Sequence, residues 1–335
     1  MKLFANMFVM ALFAMVAASA NAEIKVETVA DGLDNPCGIA IQPETGDVFV
    51  ADSGAKRIVR IANGKVQDVI VDFPLDVYGK GPMYNIGPLG LAFLSKDVLV
   101  VGGGGNVDDK ELLRVYDISG AAKSAIKADK MVASFKLEAN EELKAEGNYY
   151  GVAASDDAIY VTCNGDDTKG WVARADRSDT KVSNFRRYIA TKEATEVDAP
   201  VAVAISSRGD VVIGQMGEIT IPDDGLLTFY NAKNGKMKRN FEAGLSDITG
   251  LVFSPKKKNR IYATDFAWHD TEQGGLFQLV LNTSDEKEPT VDAKKLASLD
   301  KPTALAFGAD GTLYITVIGT GDKKPGMLLK IAPGL

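Results

Sequence analysis

Residues Leu33–Ile61 read LDNPCGIAIQPETGDVFVADSGAKRIVRI. Three short apolar runs stand out: GIAIQ at 38–42, VFVAD at 48–52 and RIVRI at 57–61. Polar segments rich in Gly, Asp and Ser part them. Short β-branched runs bounded by turn residues predict strands joined by tight hairpins.

The same order returns five more times. First strands follow Asn35-Pro36, Gly87-Pro88, Tyr150-Gly151, Ala199-Pro200, Thr249-Gly250 and Lys301-Pro302. Second strands read DVFVAD, DVLVVG, AIYVTC, DVVIGQ, RIYATD and TLYITV. A period of roughly 50 residues, with a fourth, more variable strand in most units, predicts an all-β chain folded as a β-propeller. The small, apolar first strands are expected to be buried on both faces. The last unit stops at its third strand, Met327–Ala332, whereas Glu23–Ala30 (EIKVETVA) is a strand to spare. Pairing the two closes a six-bladed ring over residues 23–335 and removes both sheet edges. A pair of β-sandwiches or a solenoid leaves that match unexplained. In the long second unit, Ala121–Lys130 reads as an extended loop and Asn140–Glu146 as one or two helical turns.

Residues 1–22 carry one charge, Lys2, then an apolar run from Met7 to Ala18 and the small-x-small sequence Ala20-Asn21-Ala22. This predicts a signal peptide cleaved after Ala22 and a secreted or periplasmic protein. No later stretch has the length of a membrane helix, so no membrane partner is expected. The formal net charge of −7 argues against nucleic acid as the main partner. Cys37 and Cys163 are the only cysteines. In an oxidising compartment they can pair, or they can stay two buried thiols. Asn282-Thr283-Ser284 is a glycosylation sequon, meaningful only in a eukaryotic secretory pathway.

Pro36-Cys37-Gly38-Ile39-Ala40, followed by Val48–Gly54 and Arg57-Ile58, resembles the NHL repeat. By period and closure the chain is similar to the six-bladed superfamily of NHL, gluconolactonase/regucalcin-like and strictosidine-synthase-like proteins. That resemblance implies the fold. Its gluconolactonase-like members bind one divalent metal in the channel through Glu, Asn and Asp, the Glu in a Glu-Gly-Pro motif opening the first blade. Here Asp34-Asn35-Pro36 stands at that place, and Thr249 stands where a second ligand is expected. The departure weighs against the lactonase centre. The metal chemistry of NHL-type amidating lyases needs several histidines, and this chain has one, His269.

Loops entering the first strands and loops joining strands two and three share one face of a propeller. Here they are the long ones, from Pro74–Gly87 round to Val317–Gly326, and long loops on a rigid scaffold are where binding resides. Aromatic residues gather there: Tyr78, Tyr84, Tyr149, Tyr150, Trp171, Phe266 and Trp268. Flat rings at a channel mouth suit sugars, heterocycles or a peptide. Ring packing between blades is the competing explanation. Acidic residues, including Asp52, Asp166, Asp167, Asp265 and Asp322, also fall in these loops. None follows the order of a calcium loop, and turn geometry explains them. His269 can serve as a base, yet no nucleophile elbow accompanies it. The expected ligand-binding residues are Asn35, Tyr149, Tyr150, Trp268, His269 and Asp265, with no metal and no cofactor. The reading is of a module holding a small molecule or protein segment at the channel mouth. The alternative is a lactonase-type hydrolase with one divalent cation such as calcium, drawing on Asn35, Asn148, Asp198 and Asp247.

Overall fold

A computed structural model describes residues 24–79, 82–163, 170–196, 199–257, 259–282, 289–321 and 323–335. The leader at 1–22, Asp166, Asp167, Asp198, Asp322 and the Thr283-Ser284 part of the sequon lie outside them.

Six antiparallel sheets succeed one another in chain order, as the repeats foretell. Blade 1 is typical: Pro36–Ile41, Val48–Asp52, Arg57–Ala62 and Lys65–Val71, from the channel outward. Blade 6 contributes Pro302–Phe307, Leu313–Val317 and Gly326–Ile331, and takes its outermost strand from the N-terminus. That strand spans Val26–Leu33, with Val26 opposite Ile331 and Leu33 opposite Gly326. It runs further than Glu23–Ala30, because Leu33 is itself core, packed in one cluster with Val50, Val59 and Leu328.

The inner strands meet tightly around the axis. A Cβ on Gly38 would sit 1.9 Å from the Leu89 carbonyl oxygen, so the blade 1–blade 2 approach admits only glycine. Threonine hydroxyls stitch the ring where neighbouring carbonyls come within reach. Thr162 donates to Val201 O at 2.7 Å, Thr249 to Pro302 O at 2.8 Å and Thr303 to Pro36 O at 2.6 Å.

Burial corrects one expectation. The second strands, not the first, are the uniformly buried ones: Val48–Asp52, Ala158–Cys163, Val211–Gln215 and Ile261–Asp265 are buried throughout. They have a strand on each edge and a blade on each face, whereas first strands border the channel and stay partly open, as in Tyr149–Ala154.

Two further expectations change. Ala121–Lys130 is not a free loop. Ile126–Lys127 pairs in parallel with Ile70–Val71, giving blade 1 a fifth strand. Tyr116 Oη donates to Ala128 O at 2.8 Å, and Ala121 and Ala128 are buried beneath it. Asn140–Glu146 forms no helix. Asn140 Oδ1 accepts the N–H groups of Glu142 and Leu143, a local turn that competes with helix. Glu146 is buried at its end, 3.9 Å from Arg187.

Candidate functional site at the channel mouth

The long-loop end of the channel is closed by a hairpin and an aromatic cluster. Asp76–Tyr78 pairs with Tyr84–Ile86, Tyr78 facing Tyr84. Asn35 adopts φ 49°, a left-handed conformation that Asn tolerates, and donates its amide to Asn85 O at 2.8 Å. This ties the entrance of blade 1 to the hairpin. Tyr84 meets Trp268 at 5.7 Å and Phe266 at 6.4 Å, both edge-on, and Phe266 stacks on Trp268 at 4.6 Å.

Buried carboxylates hold the loop that carries Trp268. Asp265 accepts N–H groups from Ser246, Asp247 and Ala267 at 3.1, 2.7 and 3.2 Å. Burial raises its pKa, and those three N–H groups oppose the rise. Asp247 Oδ2 accepts the Trp268 N–H at 2.6 Å, while its Oδ1 is buried without a hydrogen-bond partner. Burial pushes the Asp247 carboxyl up to about 7, aided by the charges of Asp265 and Asp224 and opposed by the Trp268 N–H. Asp52 occupies the same register in blade 1, taking the Asp34 N–H at 2.6 Å and Arg57 Nε at 2.7 Å. The repeated Asp at the end of these second strands is thus a clamp for the entrance of its own blade.

Beneath the rings lies a cavity of about 60 Å³, whose lining includes Asn35, Cys37, Asn148, Tyr150, Thr249 and Trp268. On a scale where one water needs about 10–15 Å³, this is room for one small ring. Its floor is Tyr150, which reaches from blade 3 to the opposite blade 6 and donates to Thr303 O at 3.3 Å. Below Tyr150 a second space of about 70 Å³ continues between the inner strands.

Burial pushes the Cys37 thiol and the Tyr84 phenol each up to about 12, and it raises Tyr150 well above the ordinary phenol value. No carboxylate or imidazole lines the cavity among the described residues. Nor do three His, Cys, Asp or Glu side chains converge on one point anywhere among them. Asn35, Asn148 and Thr249 alone do not make the carboxylate-rich oxygen set that calcium takes. Among the described residues, therefore, the lining lacks the carboxylates of the divalent centre in the resembling lactonases; Asp198 lies outside them.

Of the residues singled out from sequence, Asn35, Tyr150 and Trp268 come together here. Asp265 lies beneath them as a clamp. His269 is exposed and does not line the cavity. Tyr149, adjacent to Tyr150 on a strand, points the opposite way: it is fully buried against Phe185, and its hydroxyl accepts the Leu137 N–H. Trp171 packs in the core between blades 2 and 3. Sequence reasoning missed Thr303 and the thiol of Cys37 as cavity wall. Cys37 follows Pro36 into the first inner strand, and that position could have signalled it.

Cys37 and Cys163 are both buried and unbridged. A thiol reagent should find no reactive cysteine in the native protein and two after denaturation, with an unchanged melting temperature under reductant. One thiol or none in denaturant would contradict this.

No protein-family model matches the sequence, and no curated protein matches it. Solved structures do match over nearly the whole length. A gluconolactonase from Xanthomonas campestris aligns at 12% identity over 92% of this chain and 90% of its own, with a TM-score of 0.56. The PQQ-bound aldose sugar dehydrogenase of Streptomyces coelicolor aligns at 15% identity over 93% and 98%, with a TM-score of 0.58. A glucose dehydrogenase aligns at 14% identity over 92% and 100%, with a TM-score of 0.60. No helix among the described residues is long and apolar enough to cross a membrane. The chain therefore shares its six-bladed propeller fold with gluconolactonases and sugar dehydrogenases.

Proposed function

We propose that the protein is an exported binding module whose channel mouth receives a small, uncharged ring compound between Trp268, Tyr84 and Tyr150. One observation carries the reading: the cavity wall is aromatic and apolar, with no carboxylate, imidazole, ammonium or guanidinium group among its described residues. Hydroxyls and amides that would otherwise dominate recognition are partly committed to the fold, as with Asn35 on Asn85 O and Thr303 on Pro36 O. A ring of low polarity loses little water on entry and gains face and edge contacts with the cluster.

Benzamide is a suitable probe. Calorimetric titration should give saturable binding, and Trp268→Ala should weaken it at least about tenfold, equal to about 1.4 kcal/mol. The melting temperature of the variant should stay near that of the parent, because Trp268 is only partly buried. Unchanged affinity in Trp268→Ala would sink the placement.

A second reading, a divalent-cation lactonase, draws on the gluconolactonase among the fold relatives and on Asn35 and Asn148 at the channel. Its test is turnover of D-glucono-1,5-lactone with calcium, zinc or manganese added.

A further inference from the structure

The largest concavity among the cavities described is not at the channel mouth. It is an open groove of about 890 Å³ between blades 4 and 5, and it includes the turns at 206–210 and 259–260, on the short-turn side of the ring. Its floor is apolar: Phe229 and Phe241 meet edge-on at 6.0 Å, and Phe253 packs against the same core. Its walls are cationic. Among the described residues, Arg208, Lys238, Arg239 and Arg260 face it, against one carboxylate, Asp210. Lys238 and Asp210 neutralise each other at 2.7 Å. That leaves three exposed guanidinium groups. None of the three has a side-chain hydrogen bond or ion pair among the described residues.

The concentration is unusual for a chain of net charge −7. A guanidinium fork is shaped for carboxylates, and a like-charged wall with no partner among the described residues favours an anionic occupant. The phenylalanine floor asks that occupant for apolar groups as well. The three arginines come from three chain segments: the turn of blade 4, its outer strand Met237–Glu242, and the turn of blade 5. Recognition is therefore spread along a trough rather than focused on one point. The outer strand Met237–Glu242 has one strand neighbour among the described residues, so its other edge leaves backbone groups for an extended segment to pair with. We infer that this groove docks an extended, acidic polypeptide segment of a partner protein, with aromatic or aliphatic side chains on the phenylalanine floor and carboxylates on Arg208, Arg239 and Arg260.

The probe is a fluorescein-labelled octapeptide alternating Asp and Glu with two phenylalanines, titrated with the mature chain by anisotropy. Saturable binding is expected. The double variant Arg208→Glu, Arg239→Glu should weaken it at least about tenfold, as should about 0.5 M sodium chloride. Replacing both phenylalanines of the peptide by serine should weaken it as well. Lys65→Glu, on the outer strand of blade 1, should leave affinity unchanged. Circular dichroism establishes that each variant is folded, and benzamide titration reads the separate channel site. The proposal is overturned by equal binding in the double variant, by equal binding of a lysine-for-acid peptide, or by no saturation at about 1 mM. Preference for single-stranded DNA or for phosphatidylglycerol vesicles over the peptide also overturns it.

Discussion

A chain lacking Ile24–Leu33 should fail to reach the cooperative native state, rather than melt a few degrees lower. The strand Val26–Leu33 is the outer rung of blade 6 and carries the chain from that blade straight into blade 1, beside the inner-strand contact of Thr303 with Pro36 O. It pairs with Gly326–Ile331 along its length and buries Ala30 and Leu33 against Val50, Val59 and Leu328. Two buried apolar side chains and a ladder of hydrogen bonds sum to about 5–10 kcal/mol. A domain's whole stability is about 5–15 kcal/mol, so the loss is of the same order. Removing the strand also exposes the edge of Gly326–Ile331 to other chains. Circular dichroism with urea titration checks this: the truncated chain should show no cooperative transition, and a synthetic peptide of residues 24–33 should restore one. A transition at the parental midpoint would refute the closure.

The second large effect is a reversal of pH dependence at Asp247. Its folded pKa of about 7 lies above the ordinary value of 3.8, so the fold favours the neutral acid. Folding then takes up a proton between about pH 4 and pH 7. The stability this contributes is complete below pH 4 and is lost as pH rises through 7. At pH 8 the ionised, buried carboxylate costs up to about 4 kcal/mol. Asp265 and Asp224 face it and add to the cost, while the Trp268 N–H reduces it. Asp247→Asn keeps an oxygen for the Trp268 N–H and cannot ionise. Its urea midpoint should exceed the parent's clearly at pH 8 and match it near pH 4. Parallel pH profiles for the two proteins would show that Asp247 does not titrate in this range.

Fold and site were unequally legible in the sequence. The repeat, the count of six and the closing strand could be read because each blade restates one local grammar of apolar strand and polar turn. The close approach at Gly38 recurs at Gly90, Gly151 and Gly250, whereas Ala202 and Ala304 stand at that place in the other two blades. The site was less legible because neighbouring residues have opposite fates. Tyr149 and Tyr150 are one residue apart, yet one is core and the other spans the channel. Asp265 looked like a loop ligand, but its oxygens are taken by backbone N–H groups of the adjoining turn. The seating of the strand Tyr84–Ile86 against Asn35 and the strand at Ile126–Lys127 depend on partners distant in sequence, which no local pattern encodes.

The most direct test of the binding site uses the fluorescence of Trp268. The protein has two tryptophans, so Trp171→Phe leaves Trp268 as the sole reporter at the mouth. Titration with benzamide should shift or quench its emission saturably, and benzoate, of the same shape but charged, should do so at least about tenfold more weakly. The contradicting result is an emission indifferent to benzamide, together with cation-dependent hydrolysis of D-glucono-1,5-lactone that Asn35→Ala and Asn148→Ala abolish.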